Sequence, residues 1–166
     1  MLFKNIRMDF KTYEGHLFEP GFFAMIVYRF GRWQMNIRPF LLRLPLTIFY
    51  KILYRLVQIL VGIELPCETK VGTGLRIWHF GGIIVSCHTE LGNNVTLRSG
   101  VVIGLNHVGE KAGPKLGNDV DIGSGAKILG PIQIGDNVKI GANAVVITDI
   151  PSNSTAVGVP ARIITH

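Results

Sequence analysis

A six-residue repeat fills most of the chain after residue 65, and it constrains the fold more than any other feature. In each unit an aliphatic residue is followed four positions later by a small or aliphatic one, and glycine often comes directly after the first. The pairs are Val71/Leu75, Ile77/Gly81, Val85/Thr89, Leu91/Val95, Leu97/Val101, Leu116/Val120, Ile122/Ala126, Ile128/Ile132, Ile134/Val138, Ile140/Ala144 and Val146/Ile150, with Ile103 before an interruption. Such repeats indicate a parallel β-helix, in which three short strands form a triangular coil and the aliphatic side chains stack inward.

Two irregularities break the repeat. The frame slips by two residues between Ile77 and Val85, and residues 105–114 (LNHVGEKAGP) are too polar and glycine-rich to form a face of a coil. We expect this interruption to be a loop that projects from one corner, and loops on rigid scaffolds often carry function. Elsewhere three hexapeptides complete one coil, which predicts that Ile122 lies beside Ile140.

The residues before the repeat have a helical pattern instead. Residues 21–35 and 46–61 place apolar side chains at helical spacing, and the second stretch also carries a polar stripe that includes Lys51 and Arg55. Charged residues in mid-helix argue against a membrane span. We expect an amphipathic helix that either lies on a membrane or is buried in a subunit or domain interface.

Charge divides the chain at the same place. Residues 1–62 hold nine Lys/Arg against three Asp/Glu, whereas residues 63–166 hold eight of each, so the net charge of +6 lies in the helical segment. A basic, hydrophobic segment favours an anionic membrane surface or a negatively charged substrate, with a solvated helix face as the simpler alternative. No nucleic-acid-binding motif accompanies the charge, so we expect no nucleic-acid partner. The sequence thus predicts a helical segment, 1–62, and a β-helix domain, 63–166.

The cysteines, histidines and N-terminus predict a cytoplasmic protein without a metal. Cys67 and Cys87 match neither a disulfide framework nor a zinc motif. The first residues lack an apolar stretch of signal-peptide length. His88 and His107 are nineteen residues apart, close to one coil, as in the zinc site of the γ-class carbonic anhydrases. That family also needs two histidines five residues apart, which this sequence lacks.

Residues 64–164 resemble the hexapeptide-repeat acyltransferases, and within them the serine acetyltransferase branch. The matching stretches are VGTGLRIWHFGGIIV, LGNNVTLRSGVVIG, IGSGAKILGPIQIGDNVKIGANAVV and DIPSNSTAVGVPARII, and GFFAMIVYRFGRW is similar to the helix that precedes the β-helix in that branch. The resemblance implies a left-handed parallel β-helix and a homotrimer, alone or paired as a dimer of trimers. It also implies that acetyl-CoA binds between neighbouring subunits.

The same resemblance implies a general base. In this branch the base is a histidine that aligns with His79, and an acid that aligns with Glu64 orients it. This suits the chemistry, because a hydroxyl attacks a thioester poorly until a base removes its proton. A backbone N–H near Gly104 and Leu105 would stabilise the oxyanion. Glu64 and His79 are fifteen residues apart rather than one coil, so their pairing requires an irregular first turn; without the resemblance, a packed structural histidine is the simpler interpretation.

For acetyl-CoA, the resemblance points to the corners of the later coils. Ser124 and Ala142 would offer backbone groups to the pantetheine arm, and Lys139 and Arg162 would meet the phosphates. An exposed corner residue with no ligand is the alternative for Lys139.

Two positions depart from the serine enzymes. Trp78 stands where they have an aspartate, and Ala112 and Gly113 stand where they have an Arg–His pair. The sequence therefore resembles more closely the colanic-acid and capsule-type O-acetyltransferases, in which an aromatic ring would pack on a sugar. We expect Trp78, His107 and the loosely aligned Asp9 to contact the acceptor. Ordinary packing at the trimer seam for Trp78, and an exposed His107 without a role, stay open as alternatives.

Together these features predict an acetyl-CoA-dependent O-acetyltransferase that acts on a sugar hydroxyl of a surface polysaccharide or its precursor. It would work in the cytoplasm, either free or in contact with the inner face of the membrane through the basic helices. Two alternatives stay open: a serine O-acetyltransferase of cysteine biosynthesis, and a catalytically idle β-helix that binds partners through its helices.

Overall fold

Three helices precede a β-helix in the computed structural model, which describes residues 2–16, 18–107 and 109–164. The helices are α1 (Leu2–Thr12), α2 (Pro20–Gln34) and α3 (Phe40–Val61). The helical spacing in the sequence predicts α2 and most of α3, whereas α1 is an additional helix that it does not predict.

Helix α3 begins six residues earlier than its apolar pattern predicts, because Pro45 does not end it. Pro39 occupies the N-cap, and its carbonyl accepts the first helical hydrogen bond, from the Arg43 N–H at 3.0 Å. Pro45 lies one turn further on and removes only the bond to the Leu41 carbonyl. The helix then runs to Val61.

The strands that follow are two or three residues long. In chain order they are β1 (Ile63–Glu64), β2 (Lys70–Val71), β3 (Arg76–Trp78), β4 (Ile83–Val85), β5 (Glu90–Leu91), β6 (Thr96–Arg98), β7 (Val102–Gly104), β8 (Lys115–Leu116), β9 (Asp121–Ile122), β10 (Lys127–Leu129), β11 (Gln133–Ile134), β12 (Lys139–Ile140), β13 (Val145–Val146), β14 (Thr155–Val157) and β15 (Arg162–Ile164).

These strands stack into three faces that the chain visits in turn. Face A has the order β1-β4-β7-β10-β13, face B has β2-β5-β8-β11, and face C has β3-β6-β9-β12-β14-β15. Neighbouring strands are parallel except for the final pair, β14 and β15. The architecture is a left-handed parallel β-helix of about five turns, as the repeat and the resemblance predict.

The core of the β-helix is the column of repeat residues. Ile122 lies beside Ile140 in the register of face C, as predicted. The aliphatic positions of the later pairs are buried, and side chains of α2 join the same hydrophobic cluster. Helices and β-helix therefore share one core.

The relative length of each coil can be read from the strand register on face A. The step from Ile63 to its partner Ile83 is two residues longer than the step from Ile84 to its partner Val102. The step from Val102 to its partner Lys127 is seven residues longer than the step from Ile84 to Val102, because it includes the loop of residues 105–114. The first coil is thus longer than the regular period even though it carries no such loop.

Helix α2 is fixed to the first coil by a buried ion pair. The Arg29 guanidinium donates to both carboxylate oxygens of Asp9, at 2.8 and 3.1 Å, and a further N–H donates to the Gly72 carbonyl at 2.7 Å. Arg29 is 6% exposed and Asp9 is 1% exposed. One arginine therefore ties α1 and α2 to the corner that follows β2.

Candidate active site

The corner that carries His79 is two residues longer than the next corner of the same edge. Trp78 pairs with Arg98, and Ile84 pairs with Val102. Five residues therefore join faces C and A in the first coil, where three residues join them in the second. This extra length is the two-residue frame slip seen in the sequence.

His79 and Phe80 are the two extra residues. The Gly100 N–H donates to the Gly81 carbonyl at 2.9 Å, so regular stacking of the coils resumes at Gly81. His79 has a φ of 58°, in the left-handed region that few non-glycine residues adopt, and its side chain is exposed. The insertion lifts the imidazole out of the wall of the β-helix, which contradicts a packed structural role for His79.

A cleft of about 250 Å³ opens beside His79. It lies between the N-terminus of α2 and the end of β3. The residues that line it are Glu19, Pro20, Gly21, Ile77, Trp78, His79 and Phe80. Two aromatic residues, a histidine and a glutamate thus line one small space, which suits a polar acceptor of the size of an amino acid.

The start of α2 approaches β3 closely because residue 21 is glycine. A Cβ at Gly21 would lie 2.7 Å from the Ile77 carbonyl oxygen, so any larger residue would push the helix away. On the other side of this contact, the Ile77 N–H donates to the Tyr13 hydroxyl oxygen at 3.0 Å. Burial raises the pKa of Tyr13, so its phenol stays protonated. The wall of the cleft is therefore held by both α1 and α2.

The Trp78 residue lines the cleft, and its ring packs against a cation. The Arg76 guanidinium carbon lies 3.8 Å from the centroid of the Trp78 ring, and Arg76 also donates to Glu14 at 2.9 Å. A cation over an indole face restrains the ring. Trp78 is still 42% exposed, so it can contact an acceptor or a neighbouring subunit.

Glu64 is not in contact with His79 in the single chain. It lies beside Ile84 on face A, five residues past His79 in register, and its side chain is exposed. Across the described ranges no hydrogen bond joins the two side chains. Burial first, and then the nearby carboxylate of Glu64, raises the pKa of Tyr54, which places Glu64 beside α3. The first coil does have the expected irregular corner, but this corner does not bring Glu64 and His79 into contact.

Asp9 does not line the cleft, so the expectation that it contacts the acceptor needs correction. Its carboxylate is buried and both oxygens accept hydrogen bonds from Arg29. Asp9 lies in the helical segment where the resemblance places an acid that contacts the acceptor. In this chain, however, its carboxylate neutralises a buried arginine.

The expected oxyanion donor and His107 lie on another edge of the β-helix. Gly104 ends β7, and residues 105–114, of which residue 108 lies outside the described residues, join face A to face B. His79 lies at the opposite side of face A. The single chain therefore does not bring Gly104, Leu105 or His107 to His79. Within residues 2–16, 18–107 and 109–164, no three His, Cys, Asp or Glu side chains are grouped to hold a metal ion.

The corners expected to meet acetyl-CoA follow His79 along the same edge. The Gly125 N–H donates to the Ser99 carbonyl at 2.8 Å, and the Asn143 N–H donates to the Ser124 carbonyl at 2.8 Å. His79, Ser99, Ser124 and Ala142 thus occupy successive coils of one edge, which we call the His79 edge. Three coil spacings correspond to about 14 Å.

The two expected phosphate contacts lie on face C, next to the His79 edge. Lys139 is in β12 and Arg162 is in β15, and both side chains are exposed. A long ligand with an anionic end can therefore lie along the edge with its phosphates over face C and its other end at His79.

Two residues of the site, Glu19 and Arg76, are not predicted from the sequence. Glu19 lies at the N-cap of α2, and its side chain makes no capping hydrogen bond. The signal that could have found it is the string Glu-Pro-Gly at 19–21: proline at the start of a helix, then a glycine that permits close approach to another element.

Comparison with known proteins identifies the relatives of this chain. The family model described as bacterial transferase hexapeptide (six repeats) matches residues 113–148. The serine acetyltransferase of Helicobacter pylori is 41% identical over 150 residues, an alignment that covers 90% of this chain and 84% of that protein. The chain belongs to the serine acetyltransferase family.

Solved serine acetyltransferase structures share this fold over nearly the whole chain. Soybean serine acetyltransferase complexed with serine has a TM-score of 0.83 and 30% identity, and the match covers 98% of this chain and 69% of that one. A serine acetyltransferase in complex with CoA has a TM-score of 0.83 and 29% identity, with coverage of 98% and 69%. The prediction of an acyltransferase that uses acetyl-CoA is confirmed.

The prediction of a polysaccharide O-acetyltransferase is wrong, because these relatives are serine acetyltransferases. The assignment to the hexapeptide-repeat acyltransferases holds, but the colanic-acid and capsule-type subgroup has no support. Trp78, Ala112 and Gly113 differ from the pattern of the serine enzymes, but the similarity of the remaining chain outweighs these three differences. The cleft nevertheless has an acid, Glu19.

Proposed function

We propose that this chain transfers the acetyl group of acetyl-CoA to the hydroxyl of serine. The similarity to serine acetyltransferases over nine-tenths of the chain carries the proposal. The cleft supports it, since an exposed histidine and a carboxylate face a space that suits a small amino acid.

We assign His79 the role of general base. A ring nitrogen of His79 accepts the hydroxyl proton of serine while the hydroxyl oxygen bonds to the thioester carbonyl carbon. The C–S bond then breaks, and the departing CoA sulfur takes the proton from the imidazolium. The products are O-acetylserine and CoA, and His79 returns to its neutral form.

Glu19 is the residue we assign to the ammonium group of serine. It is the carboxylate in the cleft, and the position that carries an aspartate in the serine enzymes is Trp78 here. A carboxylate that accepts from an ammonium group contributes a charge-assisted hydrogen bond. The Trp78 ring beside it excludes water from the reacting hydroxyl.

Glu64 and the loop residues would act within a homotrimer. The edge formed by Gly104 and Leu105 lies across face A from His79, so the oxyanion donor would serve the His79 of a neighbouring subunit. His107 would then lie close to the bound acceptor or CoA. Glu64 does not touch His79 in the single chain, but it aligns with the acid that orients the histidine in this branch, so we assign it that role in the assembled trimer.

Acetyl-CoA would lie along the His79 edge. The backbone at Ser124 and Ala142 would contact the pantetheine arm, and the cations of Lys139 and Arg162 would hold the phosphates at the far end. In this arrangement the thioester lies beside His79, because acetyl-CoA and His79 occupy the same edge of the β-helix.

Thiol release from acetyl-CoA, followed with a panel of acceptors, tests the proposal. We expect turnover with L-serine and none above background with free hexoses or with O-methylserine, which has no hydroxyl to acetylate. Turnover with a hexose but not with L-serine would overturn it.

Glu19→Gln tests the assignment of the ammonium contact. We expect the KM for L-serine to rise roughly tenfold or more, since one charge-assisted hydrogen bond is lost, while the KM for acetyl-CoA stays the same. Glu68→Gln, another exposed glutamate outside the cleft, is the matched control and should change neither constant. The same KM for L-serine in Glu19→Gln and Glu68→Gln would contradict the assignment.

A further inference from the structure

Helix α3 presents an apolar face to solvent. Only Tyr50 and Val57 of its 22 residues are buried. Among the described residues, α3 is also the helix that is long and apolar enough to cross a membrane, with 11% of its most apolar window buried. Its exposed large apolar side chains are Phe40, Leu41, Leu42, Leu44, Ile48, Phe49, Ile52, Leu56, Ile59 and Leu60.

The most exposed part of this face is a straight stripe with a basic border. At 3.6 residues per turn, Leu41, Ile48, Ile52 and Ile59 lie within about 40° of one another around the helix axis. They are 82%, 53%, 54% and 70% exposed. Lys51 and Arg55 follow one border of the stripe, and both belong to the same shallow groove as Ile48 and Ile52. A stripe of this kind is typical of helices that lie in a membrane interface.

The helix lies flat against the rest of the protein, which excludes a spanning orientation. The Cys67 N–H donates to the Tyr50 hydroxyl oxygen at 2.9 Å, so the middle of α3 is fixed to the first coil. Lys51 and Arg55 would also lie near the centre of a bilayer if α3 crossed it. With α3 parallel to the surface, its stripe enters the bilayer and its basic border stays at the headgroups.

Charge favours a lipid surface over the pairing of α3 with α3 of a second copy. From residue 20 to residue 63 the sequence has six Lys/Arg and no Asp/Glu. Two copies that paired through α3 would bring Lys51 and Arg55 of each against the same basic border, with no acid in α3 to neutralise them. An anionic bilayer would instead complement both the charge and the apolar stripe.

We propose that α3 binds the surface of an anionic lipid bilayer, with Leu41, Ile48, Ile52 and Ile59 inserted and with Lys51 and Arg55 at the lipid phosphates. The inference does not depend on the acceptor of the acetyl group. It makes the enzyme a peripheral membrane protein.

Co-sedimentation of the purified full-length protein with vesicles tests this. We expect binding to vesicles of phosphatidylcholine with one-third phosphatidylglycerol, and much weaker binding to phosphatidylcholine alone. The double variant K51Q/R55Q should bind the anionic vesicles on the order of thirtyfold more weakly, since each basic residue at such a surface contributes about 1 kcal/mol. K111Q/K115Q removes the same charge from the region of the loop and should weaken binding far less.

Two results would overturn the proposal. The first is that wild-type protein does not sediment with anionic vesicles. The second is that K51Q/R55Q and K111Q/K115Q lose equal affinity for anionic vesicles, which would show that vesicle binding depends only on the net charge of the protein. As a separate check, I52E/I59E should abolish vesicle binding but leave the oligomeric state in sedimentation velocity unchanged; a smaller oligomer would instead show that α3 is a contact between copies. Both positions are exposed, so the thermal midpoint should stay close to that of the wild type.

Discussion

The first coil and the coils after the loop are built from the same repeat but differ in regularity. In the first full coil after the loop, the chain advances by the same number of residues on all three faces, as in the pairs Leu116/Ile134, Ile122/Ile140 and Ile128/Val146. The final coil is two residues shorter, as in the pair Ile140/Ala156. The first coil is two residues longer, is covered by α1 and α2, and carries His79 on its longer corner. The regular coils form a rigid support, and the departure from the repeat forms the candidate site.

The largest effect should come from shortening a regular corner. Deleting Ser124 and Gly125 leaves too little chain to connect β9 to β10 in register. Because the coils on either side share one core, we expect a loss that exceeds the usual 5–15 kcal/mol of a whole domain. The variant should lack β-structure by far-UV circular dichroism and should not elute as a folded species.

The matched deletion in the first coil should be tolerated. Removing His79 and Phe80 leaves residues 81–83 between Trp78 and Ile84, the same length as the next corner of the His79 edge. Gly82 already has a φ of 66°, close to the 73° of Gly100 in that corner. We expect a folded protein without acetyl transfer. An unfolded protein would show that the two extra residues are needed for the β-helix itself.

The next effect concerns the attachment of the helices to the first coil. Arg29→Met leaves the Asp9 carboxylate buried without a partner, and breaking such a pair costs roughly 3–5 kcal/mol of unfolding free energy. Urea denaturation measures this. The double variant Asp9→Asn with Arg29→Met should recover part of the loss because no buried charge remains. A loss below about 1 kcal/mol for Arg29→Met alone would mean that the pair is solvated in solution.

The smallest effect should come from a surface ladder that crosses the regular and irregular coils. Glu90 accepts from Lys70 at 3.0 Å and lies 3.7 Å from Lys115. The hydrogen bond from Lys70 lowers the pKa of Glu90 below its ordinary value of 4.5. The stabilisation of the folded state by ionised Glu90 is therefore fully present above pH 4.5, and it disappears as the pH falls through the lowered pKa.

Glu90→Gln should consequently cost about 0.5 kcal/mol or less at neutral pH, since exposed ion pairs contribute little. In thermal denaturation the difference from wild type should vanish in strong acid. A difference that grows as the pH falls would contradict the assigned direction of the pKa shift.

The β-helix could be predicted from the sequence because each coil repeats the same physical constraint. An inward position such as Ile122 or Val146 must be apolar, and the residue four later must be small enough to pass the corner. The two-residue frame slip marked the irregular corner as well. Contacts between elements distant in the sequence could not be predicted, since nothing in the repeat states which helix covers the first coil.

The candidate site was predictable only in part for the same reason. His79 follows from its place in a matched stretch, whereas Glu19 reaches the cleft only because Gly21 lets α2 approach β3. Asp9 shows the opposite case: its charge suggested a ligand contact, but Arg29 uses it inside the core. Where an acid points depends on helix packing, which the repeat does not determine.

The central claim is that the longer corner of the first coil presents His79 as the base for acetyl transfer to serine. The most direct test is the kcat of His79→Ala with L-serine and acetyl-CoA, compared with His16→Ala, an exposed histidine that does not line the cleft. We predict that His79→Ala loses roughly a hundredfold or more in kcat with an unchanged thermal midpoint, because a general base contributes about 10²–10⁴-fold, and that His16→Ala keeps wild-type activity. If His79→Ala retains a kcat close to that of His16→Ala, His79 is not the base.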